Sequence, residues 1–197
     1  CDRAGRRHSR GLRPMAGGPR VLAVHRSSTH AFSKQAEDAI TLVAGLGVQG
    51  DAHAGATVRH RSRVRRDPAQ PNLRQVHLLQ AELFDALVAR DHAVFPGDLG
   101  ENLTITGLQE TRAWIGDVLR FPDCELVVSE PRYPCFKLNA HMGFKHAVKM
   151  MAQSSYCGFY LAVKREGSIA AGDAFDLLPG PREVGIAELF KARSGRG

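Results

Sequence analysis

The apolar positions of the chain form short runs that glycine and proline separate. Short runs rich in β-branched and other apolar residues, bounded by turn residues, are typical of β-strands. We expect the last two of these runs to pair with each other through a turn at Glu166-Gly167. The predicted strands are Val21–His25, Ile40–Val43, Arg74–Leu79, Asn102–Thr106, Asp117–Phe121, Glu125–Ser129, Gly158–Lys164 and Ala174–Leu178.

Helical spacing is clear in one segment only. A helix is predicted over Gln80–Arg90, where Leu83 and Leu87 fall on one helical face. Lys145–Met151 is a second, shorter candidate, and Val184–Phe190 fits either a strand end or the start of a helix. Many short strands with few helices predict a mainly β, α+β fold whose sheet closes into a β-barrel.

The net charge of +7 is concentrated at the start of the chain. Residues 1–20 contain six arginines and one aspartate, a net charge of +5, which leaves only +2 for the rest. A mildly basic domain disfavours a general nucleic-acid-binding function. Residues 1–18 are rich in Arg and Gly with little to bury, so we expect a disordered or non-native leader there. One domain at 19–190 and a flexible tail at 191–197 would follow.

Cysteine usage bounds the compartment. The four cysteines contain no Cys-x-x-Cys pair, which disfavours a disulfide framework and a structural zinc site. Free thiols suit a reducing environment, so we expect a cytoplasmic protein. No apolar run approaches the length of a membrane span, and we expect no membrane partner.

Cys135 lies in a stiff, basic frame. Pro131 and Pro134 restrict the backbone before it, and Arg132 and Lys137 lie within a few residues of its sulfur. Nearby cations favour the thiolate, which is the form that attacks electrophiles or binds soft metals. The alternative is a small buried hydrophobe, since free cysteine is among the most buried residue types.

Arginines and histidines supply further candidates. The segment Arg59–Asn72 is polar and long for a loop, which favours a functional role. Its five arginines can hold a phosphate through planar guanidinium groups, or they can form a solvated charged surface. His53, His60 and His77 are candidates for ligands or acid–base groups, although a single histidine more often has a structural role.

A glycine-punctuated turn precedes one predicted strand. It reads Gly97-Asp98-Leu99-Gly100-Glu101-Asn102, and its glycines permit close approach of the backbone to a ligand. An ordinary β-turn with solvated acidic side chains is the alternative.

Three motifs, in order and spacing, resemble MOSC domains, which are named after the C-terminal part of molybdenum-cofactor sulfurase. The similarity extends over residues 19–190 and is greatest to the bacterial YiiM-type subgroup. The motifs are GDLGENLT at 97–104, IGD at 115–117 and SEPRYPCFKLN at 129–139.

This resemblance implies a β-barrel core that binds the molybdenum cofactor, a phosphate-bearing pterin, with Cys135 as the ligand to molybdenum. It implies a molybdenum-dependent oxidoreductase that reduces N-hydroxylated small molecules such as hydroxylaminopurines or amidoximes. An external flavoprotein or ferredoxin-type donor would supply electrons, because the chain has no flavin, haem or iron–sulfur motif. Pyridoxal phosphate binding is a further expectation of this resemblance.

Other residues enter as hypotheses about the same site. Positive side chains would hold the cofactor phosphate, histidines would donate a proton to the leaving hydroxyl oxygen, and two polar side chains would orient substrate or pterin. In that order, the residues are Arg132, Arg59 and Arg74; His60 and His77; and Glu101 and Asn102.

Two other functions remain open. The protein can be a carrier or binding protein for the molybdenum cofactor or sulfur without turnover of its own, with Cys135 holding a persulfide. It can also be a basic nucleic-acid-binding module, an interpretation that depends mainly on the arginines of the leader and of one loop. Stable nucleic-acid binding is not expected.

Overall fold

The structure is a computed structural model that describes residues 17–59, 61–134, 137–154 and 156–194. It contains an eight-stranded sheet, a three-stranded sheet and several short helices. The strands are β1 (Arg20–Arg26), β2 (Gln35–Glu37), β3 (Ala39–Val43), β4 (Gly47–Val48), β5 (Val76–Gln80), β6 (Leu103–Thr106), β7 (Val118–Arg120), β8 (Glu125–Pro131), β9 (Phe159–Arg165), β10 (Gly167–Ala170) and β11 (Asp176–Leu178). The helices are α1 (Arg61–Val64), α2 (Ala81–Val88), α3 (Lys137–His141), α4 (Ala147–Ser154), α5 (Ile186–Ser194) and a 3₁₀ helix at Glu110–Arg112.

The large sheet has the strand order β11-β7-β8-β9-β5-β6-β1-β2, and the small one has the order β10-β3-β4. The pairing of β5 with β6 is parallel, and the chain returns between them through α2. The fold is therefore mainly β with a few helices, as the sequence predicts.

The predicted barrel closure is not observed. Within the described residues, the edge strands β11 and β2 do not pair with each other. Backbone hydrogen bonds do connect β1 with the turn before β11, from Val21 N–H to the Asp173 carbonyl (2.9 Å) and from Gly172 N–H to the Val21 carbonyl (2.8 Å). However, β11 is three residues long and forms its strand pairing with β7, so the sheet stays open.

All eight predicted strands coincide with observed strands, but one predicted pairing is wrong. The strands at Gly158–Lys164 and Ala174–Leu178 do not pair with each other. The short strand β10 intervenes and pairs with β3, while β11 pairs with β7. The sequence of β10, Gly-Ser-Ile-Ala, contains one large apolar residue, so the sequence pattern does not predict a strand there.

The helices follow the sequence less closely. Two predicted helices are confirmed with shifted ends as α2 and α4, and the ambiguous segment at 184–190 belongs to α5. The short helix α1 lies within the predicted arginine-rich loop. The helix α5 continues to Ser194 and so extends into the segment 191–197 that we predicted to be a tail.

Two apolar clusters cover the two faces of β5, and every residue of this strand is buried. Leu78 belongs to the first cluster, inside the sheets, and Leu79 belongs to the second, against α2, α3 and α4. Because successive side chains of a strand alternate between faces, His77 lies on the same face as Leu79. The second cluster is therefore the one next to the polar site described below.

A membrane span was also considered. Among the helices in the described part of the chain, none combines the length and hydropathy that a membrane-crossing helix requires.

Candidate functional site

The predicted metal ligand Cys135 and the predicted proton donor His60 both lie outside the described residues. The structure does describe the chain up to Pro134. Strand β8 ends at Pro131, and Arg132 continues the edge contact because its N–H donates to the Gly158 carbonyl at 3.0 Å. The strand framework thus fixes the backbone three residues before the cysteine.

Three strands place polar side chains side by side on the face of the second cluster. His77 of β5 is opposite Tyr160 of β9, and Tyr160 is opposite Glu130 of β8. Directly opposed residues of neighbouring strands share a face. The rings of His77 and Tyr160 are 5.1 Å apart, and the Arg74 guanidinium lies 5.0 Å from the Tyr160 ring centre.

Glu130 binds two arginines. Arg74 donates to both of its carboxylate oxygens, with Nε–Oε1 2.7 Å and Nη2–Oε2 2.9 Å, and Arg63 of α1 donates through Nη2 at 3.2 Å. Burial alone would lower the pKa of Arg74, but the hydrogen bonds to Glu130 raise it overall. Burial alone would raise the pKa of Glu130, but these arginines hold it below its usual range. The predicted phosphate ligand Arg74 is therefore already bound to a carboxylate.

Arg132 has a different environment. It is 8% exposed, and the hydrogen-bond acceptor its guanidinium reaches is the Met151 sulfur, 3.9 Å from Nη1. Among the ion pairs of the described residues, none includes Arg132. A buried guanidinium without a carboxylate is costly unless an anion neutralises it.

Gly158 holds Arg132 in place. Its φ is +71°, and a Cβ there would lie 2.4 Å from Leu79 Cδ2 and 2.5 Å from the Leu78 carbonyl oxygen, so only glycine fits. Its N–H donates to Glu110 Oε1 at 2.7 Å, and Gln80 donates to the other oxygen of that carboxyl group. Burial raises the pKa of Glu110.

Glu101 closes the glycine turn from inside. It is fully buried, and its Oε1 accepts hydrogen bonds from Gly97 N–H and from Thr104 Oγ1 (3.0 Å). Its Oε2 has no hydrogen-bond partner in the described residues. Burial raises the pKa of Glu101, although the charge of Arg132 opposes this shift. A neutral Glu101 leaves the charge of Arg132 uncompensated.

Asn102 links three parts of the fold. Its Oδ1 accepts from His77 N–H at 3.1 Å, and its Nδ2 donates at 3.0 Å both to the His25 carbonyl and to Asp51 Oδ2. Both amide donors are thus used inside the protein. Asn102 is 2% exposed, so its observed contacts are structural, and its expected contact with substrate or pterin stays a prediction.

A buried ion pair lies next to Asn102. Lys34 Nζ is 2.7 Å from Asp51 Oδ2, and the two side chains are 3% and 1% exposed. His53 donates to the other oxygen of Asp51 through its backbone N–H at 2.9 Å. Burial lowers the pKa of Lys34, although Asp51 opposes this shift. Burial would raise the pKa of Asp51, but His53 and Lys34 lower it overall.

His25 is buried beside this pair. Burial, together with the charge of Lys34, lowers its pKa to about 4. Its Nδ1 has no hydrogen-bond partner in the described part of the structure. His25 is therefore neutral at pH 7.

The two described cysteines do not favour the thiolate. Burial raises the pKa of Cys124 to about 12, and burial together with the charge of Glu110 raises that of Cys157 further. Both thiols are fully buried. They fit the interpretation of cysteine as a small hydrophobe.

Arg59 lies away from these strands, in the wall of a cavity of about 510 Å³. The other residues that line it are His30, Thr57, Val58, Val64, Arg65 and Pro68. A smaller cavity of about 240 Å³ is lined by His92, Ala93, Val94, Asp98, His141 and Met142.

The structure thus brings some predicted residues together and separates others. Arg74 and His77 lie around Tyr160, and Arg132 and Glu101 are electrostatically coupled, whereas Arg59 is in a separate cavity. The sequence analysis missed several buried polar residues. Their partners are distant along the chain, so a single sequence carries no local pattern that could reveal them. These residues are His25, Lys34, Asp51, Gln80 and Glu110.

No metal site is formed by the described side chains alone: no group of three or more His, Cys, Asp or Glu residues among them is arranged to hold an ion. A resident metal would need a ligand beyond these residues or ligands from a cofactor.

Comparisons with known proteins agree with this architecture. A reductase of Gibberella moniliformis is 32% identical over 192 residues, covering 93% of this chain but 32% of the fungal protein. Protein YiiM of Escherichia coli is 28% identical over 177 residues, covering 86% of this chain and 73% of YiiM. The crystal structure of YiiM from Geobacillus stearothermophilus superposes with a TM-score of 0.70 at 20% identity, covering 89% of this chain and 84% of that one.

This chain therefore spans about a third of the fungal reductase it matches. The family model for the MOSC domain matches residues 51–176, which include both the glycine turn and the segment around Cys135. The chain belongs to the MOSC domain family.

Proposed function

We propose that this protein is a molybdenum-cofactor-dependent reductase of N-hydroxylated small molecules, with Cys135 as the protein ligand to molybdenum. Membership of the MOSC family and the similarity to a fungal protein named reductase support an enzymatic role. The observation that carries the proposal is Arg132, a buried cation without a carboxylate partner three residues before that cysteine.

The described residues fit such a cofactor. Its phosphate is an anion, and Arg132 offers a buried guanidinium that lies in no ion pair of the described part of the chain. A guanidinium matches a phosphate through two parallel hydrogen bonds. The raised pKa of Glu101 removes a competing negative charge from the vicinity. We therefore assign the phosphate contact to Arg132 rather than to Arg74, which is bound to Glu130.

When bound, the cofactor supplies the two-electron chemistry that converts an N–OH group to an amine and water. The residues of this chain position the reactants and hold protons. Glu101, kept neutral by burial, holds a proton at a carboxyl group near Arg132. We infer that His77, in ring contact with Tyr160, assists protonation of the leaving hydroxyl oxygen.

Electrons must come from outside, since no flavin, haem or iron–sulfur motif is found in the sequence. We propose a flavoprotein or a ferredoxin-type protein as the donor. The arginine-rich surface at 59–66 is compatible with an acidic donor protein, because complementary charge accelerates association.

Metal analysis of two cysteine variants tests the proposal. The protein is expressed in a host that makes the cofactor, and molybdenum is measured per chain together with anaerobic reduction of benzamidoxime by a chemical reductant. We expect Cys135→Ala to lose both the molybdenum and the activity, because a thiolate is the soft ligand that the metal requires.

Cys124→Ala is the matched control. This buried thiol lies in the first apolar cluster, so its loss should cost stability but leave the molybdenum content unchanged. Absence of molybdenum from the wild type and from both variants would contradict the proposal. A labile persulfide on Cys135 without molybdenum would instead support a sulfur carrier.

A further inference from the structure

We propose that the arginine-lined cavity next to α1 binds the phosphate of a nucleoside monophosphate, so that the substrate is an N-hydroxylated purine nucleotide rather than a free base. The identity of the reaction rests on the proposed function above, whereas the phosphate site itself does not.

The cavity has the size and lining of a small-molecule site. Its volume of about 510 Å³ lies within the range of ligand pockets. Val58 is buried in its floor, and Val64 and Pro68 add apolar surface. A planar heterocycle can pack on these side chains while its charged end faces the arginines.

Two arginines of the cavity are available to an anion. Arg59 and Arg65 both line it, and neither takes part in an ion pair of the described residues. Arg63, on the same short helix, is already bound to Glu130. Two planar guanidinium groups at one cavity match a phosphate monoester better than a neutral base.

The cavity wall is held in shape at its base. Val58 N–H donates to the Gln70 carbonyl at 2.9 Å, and Asn72 N–H donates to the Ala56 carbonyl at 3.0 Å. The Asn72 side chain donates in addition to the Gly55 carbonyl at 2.9 Å. Since these bonds close the arginine-rich segment into a compact loop, its arginines form part of a defined site.

Two contacts connect the cavity with the candidate site. Arg63 ties α1 to Glu130, five residues before Cys135. On the other wall, the His30 ring contacts His53 at a centroid distance of 5.0 Å, and His53 contacts Asp51. A nucleotide whose phosphate binds here thus lies beside the elements that lead to Cys135 and to Asn102.

Calorimetry with adenosine monophosphate and adenosine tests the binding step on the full chain. We expect adenosine monophosphate to bind at least about tenfold more tightly than adenosine, because charge-assisted hydrogen bonds form only with the phosphate. The double variant R59Q/R65Q should lose this preference. The matched control R66Q replaces an exposed neighbouring arginine that does not line the cavity, and it should keep the preference.

Three outcomes would overturn the inference. Equal affinity for the two ligands, or an equal loss in R66Q, would show a diffuse field instead of a site. A lower molybdenum content in R59Q/R65Q would assign these arginines to the cofactor phosphate. Tighter binding of a single-stranded oligonucleotide, with a salt dependence steeper than for adenosine monophosphate, would assign the loop to nucleic acid.

The proposed function fails separately. If the wild type contains no molybdenum but still prefers adenosine monophosphate, the reductase is wrong and the phosphate site stands. If the protein contains molybdenum and reduces N-hydroxylated adenosine and its monophosphate with equal kcat/KM, the reductase stands and the nucleotide specificity is wrong.

Discussion

Arg74 and Arg132 lie on neighbouring strands near Cys135, yet their surroundings are opposite. Arg74 binds both oxygens of Glu130 and lies against the Tyr160 ring. Arg132 is more deeply buried and reaches the sulfur of Met151 instead of a carboxylate. The comparison teaches that a buried cation with a fixed counterion serves the fold, whereas one without a counterion marks the place of an anionic ligand.

The Lys34–Asp51 pair extends the first case. Here a fully buried cation is matched by a fully buried carboxylate, which also accepts hydrogen bonds from Asn102 and His53. Such a network should be intolerant of single changes. The Arg132 region should tolerate substitution in the protein without ligand but lose ligand binding.

Breaking the Lys34–Asp51 pair should give the largest loss of stability. In Asp51→Ala, Lys34 stays buried without a counterion, and we expect the free energy of unfolding to fall by about 3–5 kcal/mol. Urea denaturation measures this change. The double variant Lys34→Met/Asp51→Ala should recover much of the loss; if it is no more stable than Asp51→Ala, the buried charge is not its cause.

The same region should weaken in acid through His25. Its pKa is lowered to about 4 from an ordinary 6.5, so the neutral form is the one that fits. The contribution is fully present above pH 6.5 and is lost as the pH falls towards 4, by up to about 3 kcal/mol. Urea denaturation at several pH values should show a steeper acid-side loss in the wild type than in His25→Leu.

The exposed histidine variant His146→Gln serves as the control and should follow the wild type. Parallel pH curves for the wild type and His25→Leu would refute the assignment. Buried Glu101 and Glu110 have raised pKa values and gain stability in acid, but this contribution is common to all three proteins.

The two arginines can be compared directly. We expect Glu130→Gln to lower the free energy of unfolding by about 2 kcal/mol, because Arg74 is left partly buried with a neutral partner. Arg132→Met should change it by less than about 1 kcal/mol or increase it, since an unpaired buried charge is removed. Thermal denaturation of protein without cofactor measures both changes.

Molybdenum content should then give the opposite order. Arg132→Met should lose most of the cofactor, whereas Glu130→Gln should retain it. A strongly destabilised Arg132→Met, or one that keeps its full molybdenum content, would remove the basis of the comparison.

The smallest effect is expected at an exposed pair. Arg26 Nη2 lies 3.0 Å from Glu37 Oε1, but these side chains are 41% and 32% exposed. In Arg26→Gln the unfolding free energy should change by less than about 1 kcal/mol, and 1 M salt should abolish the difference. A loss comparable to that in Asp51→Ala would show that burial does not decide the value of an ion pair here.

Much of the fold was predictable from local pattern. The strands around Val24, Leu78 and Val128 follow from short runs of β-branched and apolar residues, and α2 follows from the helical spacing of Leu83 and Leu87. The family was also identified from the motifs around Glu101 and Cys135, and the match over 51–176 confirms it. The closed barrel was wrong, because closure depends on which edge strands meet rather than on their number.

The site was predictable only in part. Arg132 was found because it is close to Cys135 in sequence, and it is the arginine whose surroundings suit an anion. Arg74 was selected for the same role, but its bidentate contact with Glu130, 56 residues away, could not be seen in the sequence. Cys135 itself stays a prediction.

By itself, the sequence determined the strand segments, the stiff frame around the cysteine and the membership of the family, since each is written in residues that are near neighbours along the chain. The tertiary structure decided which buried charges are neutralised. That depends on residues such as Lys34 and Asp51, or Glu110 and Gly158, which meet only after folding, and on the removal of water that makes an unpaired charge costly.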